Sequence, residues 1–295
     1  MSIQKPRISV LVPTYNQEHF IAECIESIRS QHIDFPIEIL VGDDASTDET
    51  ARVVQSIADI DSRITLYQWP INENGLRNIT QLLAHAQGDF VTILEGDDYW
   101  ISHDHLALSL KALEAKPYLN FVCANFYHAY DKNMSKVGLK PLSPKPIYFW
   151  EAALGNFIQM GTLVFKRELY PAIPEAFMRL NTGDWPLLLY LLRTGRGLFL
   201  THYAMAYRQH SKSIWSTETR MTRQQKTIQD IEDLMGSGFF NQTQCFFMKV
   251  FRARLHIGLK SNLLVKQIHL TFLAIAYVFL YILRWLMLSP LDKAS

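Results

Sequence analysis

Residues 88–100 read GDFVTILEGDDYW. Phe90 to Leu94 is a short apolar run, the pattern of a buried strand. Immediately behind it, Glu95, Asp97 and Asp98 are crowded into four residues. Like charges that close repel, and burial without a partner costs more still. Such a strand end calls for water or a cation. Three apolar runs precede it: Arg7–Val12, Ile37–Val41 and Ile64–Trp69. Helical patterns alternate with them. Glu18–Arg29 places Ile21, Ile25 and Ile28 on one face. Ser46 and Glu49 fit a capping box, which predicts a helix from near Thr47 to Ala58. Leu76–Ala86 is the third helix. Alternating strands and helices imply an α/β fold with a mostly parallel central sheet and right-handed crossovers. Ligands of such sheets sit at the carboxyl ends of the strands. The loops Pro13–Gln17, Gly42–Thr47 and Glu95–Trp100 lie there.

Beyond residue 100 the pattern is less regular. It predicts helices over His103–Ala115 and Asp184–Arg193, and strands over Phe121–Phe126, Phe157–Lys166 and Leu198–Thr201. Asn133–Pro146 is expected as a loop. The chain has 295 residues, 48% hydrophobic and 19% charged, enough for a sizeable core. A formal net charge of +1 marks no nucleic-acid partner. Cys24, Cys123 and Cys245 lie far apart and form neither a metal pattern nor a disulfide framework.

The composition shifts at the C-terminal end. Ile268–Leu288 reads IHLTFLAIAYVFLYILRWLML, with His269 and Arg284 its ionisable residues. As a helix it would reach roughly 30 Å, about one hydrocarbon core. Lys249, Arg252, Arg254, Lys260 and Lys266 precede it with no acid among them, which predicts a cytoplasmic side for that flank. A helix buried against the domain is the alternative.

Four stretches together carry a family resemblance: ISVLVPTYNQEHFIAECIESI, EILVGDDASTDET, NENGLRNITQLLAHAQGDFVTILEGDDYW and TGDWPLLLYL. In this order the chain resembles the inverting glycosyltransferases of family 2 with the GT-A fold, the bacterial enzymes of capsule, O-antigen and other surface polysaccharides. The resemblance covers about residues 7–215. It implies a catalytic domain over residues 1–220, with a nucleotide-binding half (7–100) and an acceptor half (101–220). A basic helical linker (221–262) and an apolar membrane-associating helix (263–290) would follow.

The resemblance also assigns roles. Pro13, Thr14 and Tyr15 would contact the nucleotide. Asp43 or Asp44 would accept the N3–H of a uracil-like base, a match of an acceptor-only carboxylate to an imide donor. Arg77 and Asn78 fall near the base and phosphates. Glu95-Gly96-Asp97 stands where the family has Asp-x-Asp. On an extended chain residues i and i+2 point the same way, so both carboxylates would face one Mg²⁺ or Mn²⁺. Glu95 departs from the usual Asp, and its longer side chain suits the donor sugar or a metal-bound water. Gly96 would admit the sugar diphosphate, and Asp98 is a lesser candidate ligand. His210 and Arg208, in YRQH, match positions for the metal and diphosphate. Asp184 matches the catalytic base, an N-cap being its bland reading. Trp185 is a candidate sugar-stacking residue or, equally, a core aromatic. The expected partners are a nucleotide-diphosphate sugar (UDP-sugar by preference), a saccharide or lipid-linked acceptor, and the cytoplasmic face of the inner membrane. A dehydrogenase is disfavoured because PTYNQ, not G-x-G-x-x-G, follows the first strand. No Gly- and Arg/Lys-rich loop suggests a sugar nucleotidyltransferase. A non-catalytic binding protein on the same fold rests on Glu95 alone.

Overall fold

The computed structural model describes residues 5–130, 133–137, 141–170, 180–210 and 218–260. Strands β1 (Ile8–Thr14), β2 (Ile37–Asp43), β3 (Ile64–Gln68) and β4 (Phe90–Ile93) pair in parallel. Apart from the outer β3 they are almost wholly buried, which is why each reads as a continuous apolar run. Chain order along the sheet is β3-β2-β1-β4, so the order reverses at β1. The loops after β1 and β4 flank that switch point, where a crevice forms.

Beyond β4 the sheet becomes mixed. β9 (Val164–Lys166) inserts antiparallel between β4 and β6 (Leu119–Tyr130). β10 (Arg196–Arg208) runs parallel to β6 and carries β5 (Tyr99–Trp100) and β8 (Lys145–Ile147) antiparallel to it. β7 (Asn133–Val137) hairpins back onto β6. β6 and β10 thus run well past the expected Phe126 and Thr201. Their extensions bring side chains together across the strands, with Tyr127 on Tyr203 (centroids 4.7 Å apart) and His128 on Tyr207 (5.7 Å). The segment expected as a loop, Asn133–Pro146, contains β7 and the start of β8. The strand expected over Phe157–Lys166 is a 3₁₀ turn, Met160–Thr162, followed by β9.

Helices cover both faces. α1 (Ile21–Arg29), α2 (Thr50–Ala58) and α4 (His105–Ala115) pack on one side, with Ile21, Ile25, Ile28, Val54, Leu106 and Leu110 in the core. α3 (Gly75–His85), α5 (Phe149–Ala153) and α6 (Asp184–Leu192) pack on the other. α6 is buried from Trp185 to Leu192, as a helix apolar all round must be. α7 (Arg220–Gly236) and α8 (Gln242–Lys260) occupy the segment expected as a linker. They do more than link, since Ile231, Leu234 and Met248 join the α6 core. The apolar run at 263–290 lies outside the described residues. Among the described residues, no helix is long and apolar enough to cross a membrane.

Candidate active site at the strand ends

The loops after β1 and β2 are knitted together. Asn16 and Ala45 take left-handed backbone conformations (φ 52° and 61°), which turn the two loops toward each other. The Asn16 amide donates to Ser46 Oγ (2.9 Å), and Asn16 Oδ1 accepts from the Thr47 amide (2.8 Å). Gln17 and Glu18 amides donate to Thr50 Oγ1 (2.8 Å) and Asp48 Oδ2 (3.2 Å). Ser46 is therefore occupied away from the helix. Asp48 takes the capping role, accepting from the Thr50 amide at 3.0 Å, and α2 starts at Thr50 rather than Thr47.

Within this frame Asp43 and Asp44, both buried, differ sharply. Asp44 is engaged in the fold: its two oxygens accept the amides of Glu73 and Asn74, each at 3.1 Å. It pins the loop that leads into α3. Asp43 accepts one long bond from the Ser46 amide (3.3 Å), and its Oδ1 is buried with no partner among the described residues. Burial pushes the Asp43 carboxyl above the usual range. Asn78 is also structural: it donates to Gly42 O (2.7 Å) and accepts from Trp69 Nε1 (2.9 Å). Arg77 lies half-exposed beside Glu73.

After β4 the chain does not continue extended. Asp98 N donates to Glu95 O (2.9 Å), closing a tight turn, and Gly96 N donates to Pro13 O (3.1 Å). It is this turn, rather than strand alternation, that gathers carboxylate oxygens of Glu95, Asp97 and Asp98 within 4.8 Å of one another. His210 Nε2 lies 3.1 Å from Asp97 Oδ2, and its ring stacks on Phe20 at 4.7 Å. Burial, then Asp97 and Asp184, pushes Glu95 up to about 8, and burial, then Asp97 and Glu95, raises Asp98. Hard oxygen donors that raise one another's proton affinity, with one imidazole beside them, fit Mg²⁺ or Mn²⁺.

Arg208 braces the turn from outside. It packs over Tyr99 (4.4 Å) and Phe20 (5.2 Å), pairs with Glu23, and donates to Asp97 O at 2.6 Å. Its backbone amide donates to Asp98 Oδ1 (2.8 Å).

Asp184 opens α6. Its oxygens accept from the Trp185 amide (2.7 Å) and Asn156 Nδ2 (2.6 Å), and burial raises its carboxyl. Its charge reaches Glu95, so the base candidate and the acidic turn share one pocket of field.

Residues 9–170 match the model of glycosyl transferase family 2. The chain belongs to that family. An uncharacterized protein of Mycobacterium tuberculosis is 30% identical over 214 residues, 70% of this chain and 60% of that one. The chain thus spans about 60% of the length of the first curated relatives it matches. The putative teichuronic acid biosynthesis glycosyltransferase TuaG of Bacillus subtilis is 28% identical over 255 residues, 83% of this chain and 95% of TuaG. Among solved structures, S. aureus TarS 1-349 in complex with UDP-GlcNAc superposes with a TM-score of 0.67 at 17% identity, over 85% of this chain and 73% of that one. The fold is GT-A-like, as expected from the four stretches.

Set on the family 2 domain, the expected site residues sort by geometry. Asp43, Glu95, Asp97, His210 and Asp184 are brought to the strand ends. Tyr15, 44% exposed, is open at the crevice. The other expected residues are engaged within the fold. Pro13 and Thr14 are buried in the loop frame, with Thr14 Oγ1 donating to Gln17 Oε1 (2.7 Å). Asp44 holds a loop. Gly96 is required by packing: a Cβ there would stand 2.4 Å from Gln17 Oε1 and 2.9 Å from Thr14 Oγ1. Trp185 is 3% exposed, its indole N–H given to Ala152 O (2.7 Å) and its ring against Phe251, so no face remains for a sugar. The Arg208 guanidinium is engaged by Glu23 and Asp97 rather than turned to a diphosphate. Two residues were missed. Asn156 comes from a distant loop with no local signal. Tyr207 feels Glu95, Asp98, Asp97 and Asp184, and sat unassigned inside YRQH because β10 was expected to end at Thr201.

Proposed function

We propose that this protein is an inverting glycosyltransferase. It moves a hexose-type sugar from a nucleoside-diphosphate sugar, by preference a UDP-sugar, to a hydroxyl of a saccharide or lipid-linked saccharide. Its place is in cell-surface polysaccharide assembly at the cytoplasmic face of the inner membrane, with residues 263–290 as the membrane-associating segment. The observation that carries this reading is the placement of a half-buried, hydrogen-bonded Asp184 within electrostatic reach of the Glu95–Asp98 turn. A diphosphate and an acceptor hydroxyl meet between two such groups.

In the step envisaged, the acceptor oxygen bonds to the anomeric carbon. The bond from that carbon to the diphosphate oxygen breaks, and the electron pair leaves with the nucleoside diphosphate. The acceptor proton passes to an oxygen of Asp184. Burial makes that carboxylate a better base, and general-base assistance is worth about 10²–10⁴-fold in rate. Asp97, Glu95 and His210 would hold Mg²⁺ or Mn²⁺, whose chemistry there is Lewis-acid neutralisation of the diphosphate. Asp43 Oδ1 offers the acceptor that a uracil imide requires.

Calorimetry of UDP with and without Mn²⁺ is the direct test, and UDP affinity is expected to depend on the metal. Asp97→Ala should lose that dependence. Asp184→Asn should keep UDP binding and lose transfer by about 10²-fold or more. Metal-independent binding would remove the ligand role of Asp97, and normal transfer by Asp184→Asn would remove the base.

A further inference from the structure

Asp230 lies on α7, 0% exposed, outside the segment that matches the family. Buried carboxylates ordinarily have a cation or a metal nearby. The four donors to this one are all neutral. Its Oδ1 accepts from the Asn181 amide (2.7 Å) and Asn181 Nδ2 (2.9 Å). Its Oδ2 accepts from the Thr182 amide (3.1 Å) and Thr182 Oγ1 (2.7 Å). A carboxylate with four donors of this kind is satisfied without a counter-ion, and it fixes two consecutive residues in backbone and side chain alike. Those residues are the ones that lead, through Gly183, into Asp184. On either side of Asp230 on its helix, Ile228 and Ile231 are buried, so the anchor itself cannot drift.

We propose that Asp230 is a positioning residue for the reaction, setting where the Asp184 carboxylate stands by holding the Asn181–Thr182 turn. The inference rests on the reading of Asp184 as the base. Asn156 fixes the carboxylate from one side through its Oδ2, and Asp230 fixes the backbone from which that carboxylate springs. The helix α7 is thereby part of what positions the base rather than an appendage. The charge of Asp230 also raises the proton affinity of Asp184, in the direction a base requires.

The test uses Asp230→Asn in the full chain. Asn keeps one acceptor oxygen and turns an amide N–H₂ toward the other pair of donors. Two readouts are taken: UDP release from UDP-glucose, UDP-galactose and UDP-N-acetylglucosamine with water as acceptor, and amide hydrogen exchange at Asn181 and Thr182. The expected result is a fall in kcat of about tenfold or more with KM and UDP–Mn²⁺ affinity within about twofold, and exchange at both amides faster by about tenfold or more. In an Asp184→Asn background the Asp230→Asn change should lower kcat no further, since the two act as one unit. Wild-type kcat, a change confined to KM, or unchanged exchange at the two amides overturns the proposal. If Asp230→Asn does not fold, Thr182→Val, which removes one donor, should lower kcat roughly threefold by the same route, and an unaffected kcat there overturns it equally. Asp184→Asn turning over donor at the wild-type rate is a different outcome: it removes the base reading itself, whatever Asp230 does.

Discussion

Alanine at Asp43 and alanine at Asp44 should give opposite phenotypes, although the two aspartates are neighbours and both buried. Asp44 accepts two backbone amides, those of Glu73 and Asn74, at 3.1 Å each. Hydrogen bonds to a charged group contribute about 1.5–3 kcal/mol each. Partial access of water to the loop reduces that, so Asp44→Ala should destabilise by about 2–4 kcal/mol. At about 2–4 °C per kcal/mol for a chain of this general size, Tm should fall by about 4–16 °C. Asp43 makes one weak bond to Ser46 and holds an unpartnered oxygen, and burial raises its carboxyl. A carboxyl whose folded-state pKa is raised is costly once the pH exceeds that pKa, so removing it at pH 7.5 relieves a cost. Asp43→Ala should therefore change stability by about 1 kcal/mol or less. It should weaken UDP by about 10–150-fold, the equivalent of one charged hydrogen bond. Thermal melts at pH 7.5 and UDP calorimetry with Mn²⁺ read both quantities. If Asp43→Ala melts 5 °C or more below wild type while UDP affinity stays within twofold, the assignment of the two carboxylates is inverted.

Gly96→Ala should destabilise by about 1–3 kcal/mol, because its Cβ would press on Gln17, Thr14 and Ile21, and a Gln17→Ala partner change should recover part of the loss in the same urea titration. His105 Nδ1 and His202 Nε2 are 3.0 Å apart, and burial pulls His202 down to about 4 and His105 well below its usual range, with Asp104 opposing on His202. Both rings are neutral in the fold, so the unfolded chain binds more protons as the pH falls. The stability is intact above about pH 6.5 and drains away toward pH 4, by about 3 kcal/mol for His202 alone. Urea midpoints at pH 7.0 and 4.5 should differ accordingly, and His202→Gln should flatten the difference.

The parallel half was legible because a strand buried on both faces leaves an unbroken apolar run. β1 to β4 fall within two residues of their expected ends. β10 was not legible past Thr201, because its continuation pairs aromatic and polar side chains across strands, a pattern that no window of one strand contains. The acidic turn was found, but its geometry was not: only the Asp98–Glu95 bond distinguishes a turn from an extended strand end. Asp43 and Asp44 were inseparable in the sequence, since what separates them are amides about thirty residues further on. The partners of Trp185 and Arg208 were hidden for the same reason, being supplied by Ala152 and Glu23.

The insertion of β9 between β4 and β6 has a consequence for how the chain is made. As the polypeptide emerges, β1 to β4 can pair as soon as residue 93 is available. Their remaining neighbour arrives with residues 164–166, some seventy residues later. Through that interval β4 is an edge strand, with Phe90–Ile93 offering an unpaired row of amides and carbonyls beside the nascent acidic turn. Synthesis at about 5–20 residues per second makes the interval several seconds long. The crevice wall nearest the chemistry thus closes well after the parallel strands have paired, and it is a seam at which a stalled or truncated chain would stick to its neighbours.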